Sequence, residues 1–155
     1  MSDNREARYQ ITLTDGQCQA LVQALDLYLR VGIGQLEKVG ELVNEGVVPC
    51  FTANTKLGER KTAHHELVED LDALLGQAKS LLGYPRNGSH GIGHRDNDIS
   101  VSRSYEIKKV LDKVLAETRF PEPVYQGVDR QGLMVRYTSD PEPRVKIVAA
   151  EQMDS

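Results

Sequence analysis

Residues 84–98 hold the densest set of side chains able to do chemistry. The segment reads Tyr84-Pro85-Arg86-Asn87-Gly88-Ser89-His90-Gly91-Ile92-Gly93-His94-Arg95-Asp96-Asn97-Asp98. Its glycines let the backbone turn and present N–H groups without side-chain obstruction. Asn87, Ser89, His90 and His94 add directional donors, and Arg86 and Arg95 add guanidinium forks suited to phosphate. The segment runs into a helix N-terminus, where unpaired N–H groups and the macrodipole favour an anion. Arg103, in the first turn of that helix, opposes the dipole unless it meets a negative partner. Tyr105 lies beside it, and Arg136 with Tyr137 on a later segment could stack on and pair with a nucleotide. These ten residues form the expected ligand-binding set: Arg86, Asn87, Ser89, His90, His94, Arg95, Arg103, Tyr105, Arg136 and Tyr137. An ordinary surface loop would use many of the same residue types.

Other chemistries fit less well. The glycine order is G-x-x-G-x-G after a helix, whereas a dinucleotide fingerprint is G-x-G-x-x-G after a strand. No Walker A sequence occurs. His90 and His94 would need further ligands to hold zinc, and Cys18 and Cys50 lack C-x-x-C spacing, so no metal site is assigned. Gly88-Ser89-His90-Gly91 lacks the G-x-S-x-G order of a nucleophile elbow. Cys50 with a histidine brought near in space stays open. The reading is a non-enzymatic protein without a cofactor.

The elements that must position these residues follow from periodicity. Residues 8–13 alternate as a strand, and Thr14-Asp15-Gly16-Gln17 has the form of a capping box. A first helix is expected over 15–45, ending at Gly46, with Leu21, Leu25, Tyr28, Leu36, Val39 and Val43 on one stripe. Between Leu25 and Leu36 apolar residues fall on nearly every side, which calls for burial on more than one face and favours a homo-oligomer. Gly32 and Gly34 mark either a kink or the close approach of another helix or a ligand. After a loop at 47–58, a second helix is expected over 59–82, with Leu67, Leu71, Leu74, Leu75, Ala78 and Leu82 inward. It forms a hairpin with the first. A third helix is expected over 101–118 with Ile107, Val110, Leu111, Val114 and Leu115 inward, stopped by Pro121 and Pro123. Alternation at 124–128, 133–138 and 144–149 predicts strands. The expected fold is α+β: a long helical hairpin plus a third helix packed on a small antiparallel β-sheet. It forms a single domain over 1–155, with residues 1–7 and 151–155 frayed.

Composition narrows the partners. The chain has 155 residues and a formal net charge of -4, which disfavours duplex nucleic acid. No apolar run is long enough to cross a bilayer and the first ten residues are not a signal peptide, so a cytoplasmic protein is expected.

Three segments together resemble a group of small bacteriophage and prophage proteins of unassigned activity. They are Ala24-Leu25-Asp26-Leu27-Tyr28-Leu29-Arg30 with Gly34-Gln35, Ser104-Tyr105-Glu106-Ile107-Lys108-Lys109, and Gly127-Val128-Asp129-Arg130-Gln131-Gly132-Leu133-Met134-Val135-Arg136-Tyr137. The loop before the third helix is longer here than in that group. The resemblance implies a viral protein acting in the host bacterial cytosol. Its implied role is sequestering a small anionic nucleotide-type signal of host anti-phage defence, such as a cyclic ADP-ribose derivative or a cyclic oligonucleotide. The alternatives are a phage or host protein-interaction module and a nucleotide-degrading enzyme.

Overall fold

A computed structural model describes residues 6–51, 60–61 and 65–149. In order, they form α1 (Asp15–Gly32), α2 (Lys38–Asn44), β1 (Cys50–Phe51), β2 (Arg60–Lys61), α3 (His65–Leu81), α4 (Ile99–Arg119) and a 3-10 turn over Val128–Gln131.

The capping box starts α1. Thr14 Oγ1 accepts from the Gln17 amide at 3.2 Å, and Gln17 Oε1 accepts from the Thr14 amide at 3.0 Å. The helix does not run on to residue 45. At Gly34 the backbone turns left-handed, with φ 93°. The amides of Gly34 and Gln35 bond back to the carbonyls of Val31 and Arg30, closing a Schellman motif, and α2 restarts after it. Gly46 and Gly83 end α2 and α3 by the same bonds. Gly32 is a close approach: a Cβ there would lie 2.5 Å from Val101 Cγ2.

The principal pair is α1 antiparallel to α4, rather than a hairpin of the first two expected helices. Val22 packs with Leu111 and Leu115 near one end, and Leu29 and Ile33 pack with Val101 near the other. Arg119 pairs with Asp15 at 2.7 Å across the far end. The short α2 lies along α3, where Asp72 approaches Gly40 and Lys79 reaches Glu37.

The expected sheet is overturned. Among the described residues the only ladder is the two-residue pairing of β1 with β2, and the helices pack on one another. Residues 8–13, 133–138 and 144–149 are not strands, and 124–128 leads into the 3-10 turn. Alternation supplies two faces, but a strand needs a neighbour for its N–H and C=O groups. Tail residues 137 and 138 bond instead to a side chain of α4. The buried stripes also differ from those expected. On α4 the inward positions are Val101, Ser104, Leu111 and Leu115, and Ile107 faces out. On α3 they are Gly76 and Lys79, while Leu74 and Leu82 are exposed. On α1, Leu29 is inward and Tyr28 outward. The expected frayed ends, residues 6 and 7 aside, lie outside the described residues, as do the start of the second helix at 59 and residues 52–58 of the loop before it.

Candidate functional site

The 84–98 segment folds on itself and onto the α1–α4 junction. Ile92 packs against Leu29, Ile33 and Val101, and the His90 amide donates to the Ile33 carbonyl at 2.9 Å. Gln35 Nε2 donates to Ser89 Oγ at 3.2 Å. The His90 and His94 rings stack with centroids 3.9 Å apart, and Tyr84 tilts against His90 at 4.9 Å.

Asn97 organises the centre of this loop. Its Nδ2 donates to the carbonyls of Gly91 at 2.7 Å and Ile92 at 3.0 Å, which points Oδ1 toward His90 Nδ1, 3.2 Å away. His90 therefore donates from Nδ1. At His94 the role of Nδ1 is reversed, because it accepts from the Asp96 amide at 3.2 Å. Among the described residues no group of three or more His, Cys, Asp or Glu side chains converges as a metal would require.

The N-terminus of α4 already carries an anion. Asp98 caps it, accepting from the Ser100 amide at 2.9 Å and from the Ser100 hydroxyl. These hydrogen bonds, the hydroxyl's first, hold its carboxyl below the usual aspartate value, with Arg103 adding to the effect. Arg103 has its partner in Asp140, through bonds of 2.6 and 3.2 Å. Arg136 reaches the Asp140 carbonyl and lies 3.6 Å from Glu106. Tyr105 and Tyr137 meet edge to face at 5.6 Å, and a Cβ at Gly93 would collide with the Tyr137 ring.

The ten expected site residues thus fall into separate places. Ser89, His90 and His94 build the loop, and Arg103, Tyr105, Arg136 and Tyr137 clamp the tail to α4. Arg95 is 91% exposed and, among the described residues, pairs only with its neighbour Asp96. Arg86 and Asn87 turn the other way, into a cleft of about 410 Å³ between α2 and α3.

No family model, curated protein or solved structure matches this chain.

That cleft contains the group the sequence does not announce. Lys79 is 1% exposed, and among the described residues its ammonium meets one carboxylate, Glu37, at 3.2 and 3.4 Å. An ammonium has three N–H donors, and burying it costs free energy unless acceptors surround it. The side chains of Arg86 and Asn87 line the same cleft and make no hydrogen bond or ion pair among the described residues. The Arg86 stem lies on Gly76, where a Cβ would come within 3.3 Å. Asp72 and Glu69 line the same cleft from earlier turns of α3. Along α3 the lining passes from the carboxylates of Glu69 and Asp72 to the donors of Lys79 and, after the helix, Arg86, with the Glu37 carboxylate paired to Lys79. The arrangement suits a ligand that is anionic at one end and carries N–H donors at the other. Gly76 is the one sequence signal: it shares the Asp72–Leu75–Gly76–Lys79 stripe, and a small residue there admits a neighbour.

Proposed function

We propose that the protein is a non-catalytic binding protein for a small anionic nucleotide-type ligand, seated in the α2–α3 cleft. Lys79 carries the reading: a buried ammonium with one carboxylate partner sits beside the unpaired donors of Arg86 and Asn87. Phosphate is the acceptor that such a trio serves best. The amino group of a base supplies the donors that Asp72 and Glu69 would accept. A volume of about 410 Å³ lies within the range of small-ligand sites. The resemblance to phage proteins sets the biological frame, sequestration of a host immune nucleotide in the bacterial cytosol. Among the described residues no helix is long and apolar enough to cross a membrane.

A panel of cyclic and ADP-ribose nucleotides tests the reading by thermal shift, followed by denaturation and analysis of the nucleotide. A raised melting temperature with intact ligand supports sequestration, altered ligand indicates an enzyme, and no shift across the panel sinks the proposal.

A protein-interaction role is the second reading. It is favoured by the apolar side chains exposed after α4, where Val124 is 99% and Tyr125 80% exposed.

A further inference from the structure

At the end of α4 far from the loop lies a wider groove of about 760 Å³. Its apolar wall includes Leu115, Phe120, Val124 and Tyr125. Two arginines also line it, and both are hydrogen-bonded within the fold. Arg119 bonds to Asp15 and Gln19, and Arg130 donates to the carbonyls of Ala116 and Phe120. Glu122 and Asp129 are different: neither has a hydrogen bond or ion pair among the described residues. Arg130 has no carboxylate partner among the described residues, so its single positive charge stands against these two carboxylates and the balance of the groove is negative by one.

The chain carries a segment of complementary character. Residues 144–149 read Arg144-Val145-Lys146-Ile147-Val148-Ala149, with basic and apolar side chains alternating over 144–147 and apolar ones after. Ile147 is 70% exposed, and Arg144 and Lys146 have no ion-pair partner among the described residues. The tail is pinned just upstream, at Tyr137 and Thr138 by Glu106 and at Asp140 by Arg103. Pro141 and Pro143 then stiffen the chain. Held this way, residues 144–149 do not line their own groove.

We infer that residues 144–149 of one copy dock in the groove of a second copy, and that the exchange is reciprocal. Val145 and Ile147 enter the apolar wall, and the long basic side chains reach the rim carboxylates Glu122 and Asp129. A reciprocal exchange closes as a two-fold dimer, so each contact is made twice.

Sedimentation across the micromolar range tests the inference, with circular dichroism to confirm folding. The wild-type chain is expected to dimerise. A tail-reversed variant (R144E/K146E) and a groove-reversed variant (E122K/D129K) each place like charges at both junctions, and each should weaken self-association by about tenfold or more. Mixed in equal amounts, the two variants restore complementary charge at both junctions and should dimerise again. Ile147→Asp should weaken the dimer without this rescue. A wild-type monomer throughout the range, unchanged dimerisation of the reversed variants, or failure of the mixture to associate would each overturn the inference. A monomer whose own tail fills its groove is the first of these outcomes.

Discussion

Glu106 and Thr138 are joined twice, by the Thr138 amide at 2.9 Å and the Thr138 hydroxyl at 2.8 Å. The Tyr137 amide adds a third bond to the same carboxylate at 2.8 Å. A side chain 2% exposed on α4 thereby takes the place of the neighbouring strand that residues 133–138 lack. Glu106→Gln can keep both amides on its one oxygen, but it replaces three charge-assisted bonds with neutral ones, turns an N–H toward the Thr138 hydroxyl and removes the charge beside Arg136. The substitution should destabilise the protein by about 1–3 kcal/mol. Hydrogen exchange should then quicken at Tyr137 and Thr138 more than at Leu111, and equal protection at all three would contradict the anchor.

The same carboxylate sets an acid limit. Burial pushes the Glu106 carboxyl up, but the bonds from Tyr137 and Thr138, with Arg136 nearby, outweigh it and hold the group below its ordinary 4.5. A carboxyl with a lower pKa folded than unfolded stabilises the fold above the unfolded value, and loses that contribution as pH falls through the folded one. Stability should therefore be level above about pH 4.5 and decline below it, by less in Glu106→Gln than in the wild type. Melting curves between neutral and acid pH check this, and an identical acid slope in the two proteins would count against it.

Glycines at helix ends separate backbone strain from crowding. Gly34 and Gly83 both have positive φ, 93° and 85°. A Cβ at Gly83 meets nothing within 4 Å, whereas one at Gly34 would lie 2.5 Å from the Tyr84 ring. Gly83→Ala should cost about 1 kcal/mol and Gly34→Ala about 2–4 kcal/mol, the difference being the displaced ring. Equal losses of melting temperature would show that the Tyr84 contact carries no weight.

These contrasts indicate what the sequence makes legible. Thr14 with Gln17, and Gly46 and Gly83 at helix ends, are readable because a cap is a local bargain between near neighbours. The break at Gly34 is also local, yet the apolar residues on both sides of it mimic one continuous helix. The tail is not readable, because its period-two pattern specifies two faces and says nothing about a partner. Glu106, 31 residues before Tyr137, supplies the hydrogen bonds that a strand would have taken. Arg86 and Asn87 stand out by type and loop context. Lys79 does not, since a lysine in the last turn of a helix is an ordinary complement to the dipole.

Lys79 should trade stability against binding. Lys79→Met keeps the stem and removes a buried charge, while Glu37 stays half-exposed and hydrated. Its stability should fall within about 1 kcal/mol of the wild type or above it. Its affinity for the ligand should drop. A loss of several kcal/mol in stability would mean that the ion pair is structural.

The most direct measurement is calorimetric titration of the wild type, Arg86→Ala and Arg95→Ala with the nucleotide that raises the melting temperature. Arg86 faces the cleft and Arg95 faces solvent on the same loop. Removing the Arg86 guanidinium should weaken binding by about 1.5–3 kcal/mol, at least tenfold, with the melting temperature of the free protein unchanged. Arg95→Ala should bind as the wild type does. Equal affinity in all three proteins, or a loss in Arg95→Ala alone, would contradict the placement of the ligand between α2 and α3.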